Sequence, residues 1–245
     1  MSNTVLLCTS EYVTMRDDVR LAVSIYITGA EIKHFDKRPA VIATTRYWRA
    51  MALQQDNPEL QPSFSLAAYL CARGYAFVVV DARGSGASFG FREAEIPHAE
   101  VEDIGEVIDW ATQQDWCDGR VATIGTSYSA NTTLYSLVTA PVALKVGICR
   151  APDFDLYRHL FAPGGIANNW FIEAWGEATA AQDANNVKAL FDGGYWLPPE
   201  DGVNNVLGVR PVDQDMEGTL LAAAVAEHKA NFNVAALGET LSFIE

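Results

Sequence analysis

The chain has 245 residues, 49% of them hydrophobic, and a formal net charge of −14. Such a chain can bury a large α/β core, alone or with a smaller subdomain, and is not a disordered tail. The acidity excludes nucleic acid and anionic lipid as expected partners, because both are bound through clustered Lys and Arg. No stretch approaches the roughly 18 unbroken apolar residues of a membrane span, and no basic leader opens the chain, so a cytoplasmic location is expected.

Val5 to Val13 and Val19 to Ile27 are rich in β-branched residues and flank a polar Arg16-Asp17-Asp18 turn, which predicts a hairpin. The short apolar run Ala40-Val41-Ile42-Ala43 suits a strand buried on both faces. Phe64 to Arg73 has helical spacing and ends at Gly74, a residue suited to a helix C′ position. Ala76 to Val80 is an uninterrupted strand running into the Gly84-Ser85-Gly86 turn. A helix over Val101 to Gln114, a strand over Arg120 to Gly125, a helix over Ser127 to Ala140 and a strand over Lys145 to Cys149 follow. Strand and helix alternating at this interval imply βαβ units and a mostly parallel sheet.

After about residue 151 strand signals fade, and Leu220 to Ala230 has helical character. The expected division is an α/β core over 1–150 and a helical cap over 151–245. Cys8, Cys71, Cys117 and Cys149 form no C-x-x-C pair; they read as reduced thiols, three of them in apolar stretches where cysteine buries as a small hydrophobe. No Gly-rich loop opens a helix and no metal ligands cluster, so neither cofactor nor metal is expected.

The sharpest chemical signal is Gly125-Thr126-Ser127-Tyr128-Ser129, which follows the strand Val121-Ala122-Thr123-Ile124 and precedes a helix. In that context a G-x-S-x-G-like run is a nucleophile elbow. Small neighbours permit strained backbone at the serine, its hydroxyl stands clear of the sheet, and the N–H of Tyr128 points at a developing oxyanion. Ser129 replaces the usual last glycine and is small enough to fit.

Together with Met15 to Ala22, Asp81 to Ser88, Glu102-Asp103, Asp115 to Gly119 and Pro163-Gly164-Gly165, this run resembles the CocE/NonD hydrolases, the cocaine esterase and X-Pro dipeptidyl-peptidase group. The resemblance implies an α/β-hydrolase core with a helical cap, and cleavage of ester or amide bonds in small-molecule or peptide substrates through an acyl-enzyme. It makes Ser127 the nucleophile and the Tyr128 N–H one oxyanion donor. Tyr47, which on its own residues reads as a packing aromatic, becomes the second donor through its hydroxyl. Trp175 falls where the family lines the acyl pocket.

The acid and base of the resembled family follow two further core strands, and no such segments occur here. Of the four histidines, His34 and His98 precede the nucleophile in loop-like segments, His159 follows the last strand, and His228 sits beside Glu227 and reads as solvated. Asp153 and Asp155 could orient a base but read more simply as loop caps. The chain is therefore expected to be a truncated one, inactive alone, lacking its last strands and leaving Lys145 to Cys149 as an apolar edge. A complementing chain that makes a split hydrolase, a homo-oligomer, or a non-catalytic binding module in which the elbow is only fold geometry are the competing expectations.

Overall fold

The computed structural model describes residues 6–29, 37–139, 141–194 and 205–236. Six strands make the main sheet: β1 (Leu6–Thr14), β2 (Arg20–Thr28), β3 (Arg38–Thr45), β5 (Ala76–Asp81), β6 (Cys117–Thr126) and β7 (Leu144–Arg150). Their order is β1-β2-β5-β3-β6-β7. The β1–β2 hairpin and the β2–β5 pair are antiparallel, whereas β5, β3, β6 and β7 run parallel. The strands expected from the sequence are thus present, in the mixed sheet of an α/β hydrolase.

Side-chain alternation explains why the central strands read as continuous apolar runs. On β5, Ala76, Val78 and Val80 join Leu21, Val23, Ile25, Ala40 and Ile42 under helix α2 (His98–Thr112), which presents Ile104, Val107, Ile108 and Ala111. The intervening Phe77 and Val79 face the other way, with Tyr26 and Val41, under Ala67 and Cys71 of helix α1 (Phe64–Cys71). All six β5 residues are buried, since both faces are covered. Helix α1 hands the chain on to β5 through Gly74, whose φ of 84° is natural only to glycine. Helix α3 (Tyr128–Thr139) lies beside α2 at a close approach between Gly105 and Thr139.

Strand β7 forms one edge of this sheet among the described residues, and Val146 and Ile148 on it are about half exposed. This is the apolar edge the sequence predicts. Of the three cysteines in apolar stretches, Cys71 is buried as expected, Cys149 is half-buried, and Cys8 on the outer strand β1 is exposed; Cys117, outside those stretches, is buried as well.

The segment after β7 departs from expectation in one respect. It contains helices α4 (Asn169–Asp183), α5 (Val187–Asp192) and α6 (Thr219–Glu227), but also strand β8 (Val206–Val209). Strand β8 pairs antiparallel with β4 (Met51–Leu53), placing Met51 opposite Val209. A small apolar cluster joins the two regions, with Trp48 and Ala87 packed against Ala178, Ala181, Leu190, Val206 and Val209. No helix among the described residues is long and apolar enough to cross a membrane.

Candidate active site

Ser127 stands where β6 turns into α3, with φ of 55°. A left-handed backbone costs a non-glycine residue roughly 1–3 kcal/mol, so it persists only where its surroundings over-determine it. Here the Ser127 N–H donates to the Arg150 carbonyl at 3.0 Å, and its own carbonyl accepts from the N–H groups of Ala130 and Asn131 at 2.8 and 3.0 Å. The tightness of the turn explains the glycine two residues earlier. A Cβ on Gly125 would lie 2.0 Å from the Ser129 carbonyl oxygen. The same added Cβ would meet the Ser129 Cβ at 2.6 Å, so serine at 129 fits because residue 125 carries no side chain.

Three more non-glycine residues with positive φ surround the elbow. Trp48 (65°) follows Tyr47, Ile96 (53°) lines the same cavity, and Ala151 (50°) follows β7. Strain of this kind concentrates at functional sites.

Tyr47, Ser127, Tyr128 and Trp175, all four residues singled out in the sequence, line one cavity of about 70 Å³ together with Glu95, Asn131, Asp153, Leu156 and Phe171. The Tyr47 and Tyr128 rings meet edge to face at 5.9 Å. The indole N–H of Trp175 donates to the Tyr47 hydroxyl oxygen at 3.1 Å. Trp175 stacks on Phe171 at 5.5 Å, whereas the neighbouring Trp170 is exposed. Tyr128 is the first residue of α3, where backbone N–H groups lack an intrahelical acceptor.

Beneath the cavity lies a buried ionic layer. Arg46 donates to both Glu95 carboxylate oxygens at 2.5 and 2.7 Å and to Asp183 at 3.3 Å. Its guanidinium faces the Trp175 ring at 5.1 Å and the Tyr128 ring at 5.9 Å. Arg92 donates to Asp183 at 2.8 Å, as does the Asn231 amide, which also donates to the Gly84 carbonyl. The Tyr128 hydroxyl, in turn, donates to the Glu100 carboxylate. Burial pushes the Glu100 carboxyl up to about 7 and the Tyr128 phenol well above its ordinary value.

No histidine among the described residues lines this cavity. His98 is exposed, 3.5 Å from Glu102. His159 is exposed, with the Asp155 N–H 3.4 Å from its Nδ1. Asp155 caps the following turn by accepting from the Arg158 N–H, as expected of it, while the Asp153 N–H donates to Asn131. His34 lies outside the described residues. His228 corrects the sequence expectation: it is buried, not solvated, with Nδ1 3.1 Å from the Asp183 carbonyl and Nε2 2.7 Å from the Ser88 carbonyl. Glu227, the neighbour that suggested exposure, itself accepts the Gly90 N–H, and the His228 ring closes the end of α6 onto the loop after β5.

A protein-family model, X-Pro dipeptidyl-peptidase (S15 family), matches residues 17–199. The chain belongs to that family. A Mycobacterium bovis protein provisionally named a serine esterase is 36% identical over 243 residues, covering 95% of this chain and 37% of the relative. The cocaine esterase of a Rhodococcus species is 31% identical over 169 residues, which is 66% of this chain and 27% of that enzyme. A Staphylococcus aureus CocE/NonD family hydrolase superposes with a TM-score of 0.61 at 25% identity, over 72% of this chain and 33% of its own. The chain therefore spans a little over a third of the length of the mycobacterial relative. Membership makes it part of a serine peptidase and esterase family with the α/β-hydrolase fold.

Sequence reasoning missed Glu95, Glu100 and Arg46. A charged side chain on a helix or loop ordinarily reads as solvated, and nothing local marks these three as buried.

Proposed function

We propose that this chain carries the nucleophile, oxyanion donors and acyl-binding wall of a serine hydrolase acting on ester or amide bonds. The observation that carries the reading is the convergence of Ser127, on its strained elbow, with Tyr47, Tyr128 and Trp175 on one cavity. The Ser127 hydroxyl attacks the acyl carbonyl, and the tetrahedral oxyanion accepts from the Tyr128 N–H and the Tyr47 hydroxyl. Because the Tyr47 oxygen accepts the Trp175 indole N–H, its own proton is polarised for donation. Collapse expels the alcohol or amine, and water then attacks the acyl-enzyme along the same path in reverse. Residues 151–245 act as the cap, with Trp175, Phe171 and Leu156 receiving the acyl group.

The base and its acidic partner, on this reading, come from polypeptide beyond these 245 residues or from a complementing chain, which leaves the chain inactive by itself. That no imidazole of the described residues lines the cavity supports this, and it equally favours a second reading, a binding module with an unpowered elbow. Fluorophosphonate labelling separates the two. The purified chain is probed alone, and co-expressed with the part of the mycobacterial relative that it does not span. An adduct on Ser127 that forms only with the complement, and is lost in Ser127→Ala, is the expected result. No adduct under either condition, with the fold intact by circular dichroism, overturns the hydrolase in favour of the binding module.

A further inference from the structure

Glu100 is the least expected residue near the site. It lies in the first turn of α2 and is 1% exposed. A glutamate there ordinarily faces water and favours the positive end of the helix dipole. Glu102 and Glu106 on the same helix do face out, and both pair with Arg16. Glu100 turns inward instead, where an ionised carboxylate is expensive unless it is bonded. One of its oxygens accepts the Tyr128 hydroxyl; the other is buried with no hydrogen-bond partner. The remaining charged groups that face it are Arg92 and Arg46, which favour its ionised form, and Glu95, which opposes it.

Tyr128 is thereby anchored at both ends. Its backbone is set by the elbow, and its phenol is tied to α2. Between those ends its ring is the surface against which the Tyr47 ring packs, and Tyr47 in turn accepts the Trp175 indole. We propose that Glu100 is a positioning residue of this site, holding the Tyr128 ring so that it sets Tyr47 and Trp175 in register with Ser127. This rests on the reading of Tyr47 and Tyr128 as oxyanion donors. Such donors must lie about 2.7–3.1 Å from the oxyanion, so freedom in the Tyr128 ring would be felt at the Tyr47 hydroxyl. A carboxylate, as an acceptor only, holds the phenol more firmly than the neutral acid does. Since the Glu100 carboxyl is raised to about 7, the wall tightens as the pH rises through neutrality.

The test reads the indole N–H of Trp175 by ¹H–¹⁵N correlation, assigned with Trp175→Phe, and needs no catalytic activity. In Glu100→Gln and Tyr128→Phe that signal is displaced, while in Glu106→Gln on the outer face of α2 it stays put. In the unmodified chain the signal moves with pH around 7, and Glu100→Gln abolishes that movement. A Trp175 signal unchanged in both inner variants, or one that shows no titration near 7 in the unmodified chain, overturns the proposal. The second arm does not depend on a variant folding. Where Ser127 can be labelled with the complement supplied, Glu100→Gln should slow the labelling step about tenfold without weakening reversible probe binding. If Ser127 is never labelled, the hydrolase reading fails, while the indole result still decides whether Glu100 positions the wall.

Discussion

Two ionic networks among the described residues differ in where they end. In the outer one Arg83 donates to Asp103 at 2.7 Å and to Asp17 at 2.7 and 3.1 Å, and Arg16 adds contacts to Asp103, Glu102 and Glu106. It clamps the β1–β2 turn to α2 and grades into solvent, where Asp17 is 43% exposed. The inner one, Arg46, Glu95, Asp183 and Arg92, has no exposed member and joins the core to α4. The same Arg–carboxylate chemistry thus serves two ends. Water can replace a lost partner at the exposed end of the outer network, whereas anywhere in the inner one a lost partner leaves a buried charge with fewer partners. Within the outer network the gradient shows in Arg83's two partners. Hydrogen bonding to Arg83 holds the Asp17 carboxyl below the usual range, while burial pushes the Asp103 carboxyl above it.

The largest effect should come from Asp183→Ala, which strips a partner from both Arg46 and Arg92. A loss of about 3–5 kcal/mol in a urea titration is expected. Arg83→Ala should cost about 3 kcal/mol, because Asp103 is buried but keeps Arg16 at 3.1 Å. Next is a pH effect. Glu100 has a folded-state pKa raised to about 7, so its burial is easiest when protonated; its contribution is complete in acid and is lost as the pH rises through about 7. Relative to Glu100→Gln, the unmodified chain should lose stability between about pH 4.5 and 7, by a few kcal/mol at most. The smallest effect belongs to Asp17→Asn, under about 1 kcal/mol at neutral pH. Its sign is opposite: because the folded pKa is depressed, the Asp17 contribution is present at neutral pH and fades as acid protonates it. Stability curves for Asp17→Asn and the unmodified chain should therefore converge in acid.

What the sequence made legible follows the same division. Arg83, Asp17 and Asp103 sit in motifs that stand out along the chain, and the elbow is a local event, fixed by Gly125 and a serine between strand and helix. Tyr47 and Trp175 lie 128 residues apart, and only family resemblance suggested that they meet. The β4–β8 pair was invisible for a physical reason. Strand β8 has four residues, one of them Gly208 at φ 139°, and its partner is a three-residue stretch far back in the chain. His228 and Glu100 were unreadable because burial is decided by what packs on a helix, not by its neighbours in sequence.

Asn231 carries a consequence for the order of assembly. Its side chain spans 147 residues to reach Gly84 and accepts the N–H of Arg92, 139 residues earlier; Ser10 and Asp213 are tied across 203. Contacts between positions so far apart in sequence close slowly, and a chain made from its N-terminus folds its early segments first. The hairpin, the central strands and the elbow can therefore form during synthesis, while the ionic floor under Ser127 gains its amide partner only with residue 231. The nucleophile is placed early, and the ground it stands on sets last.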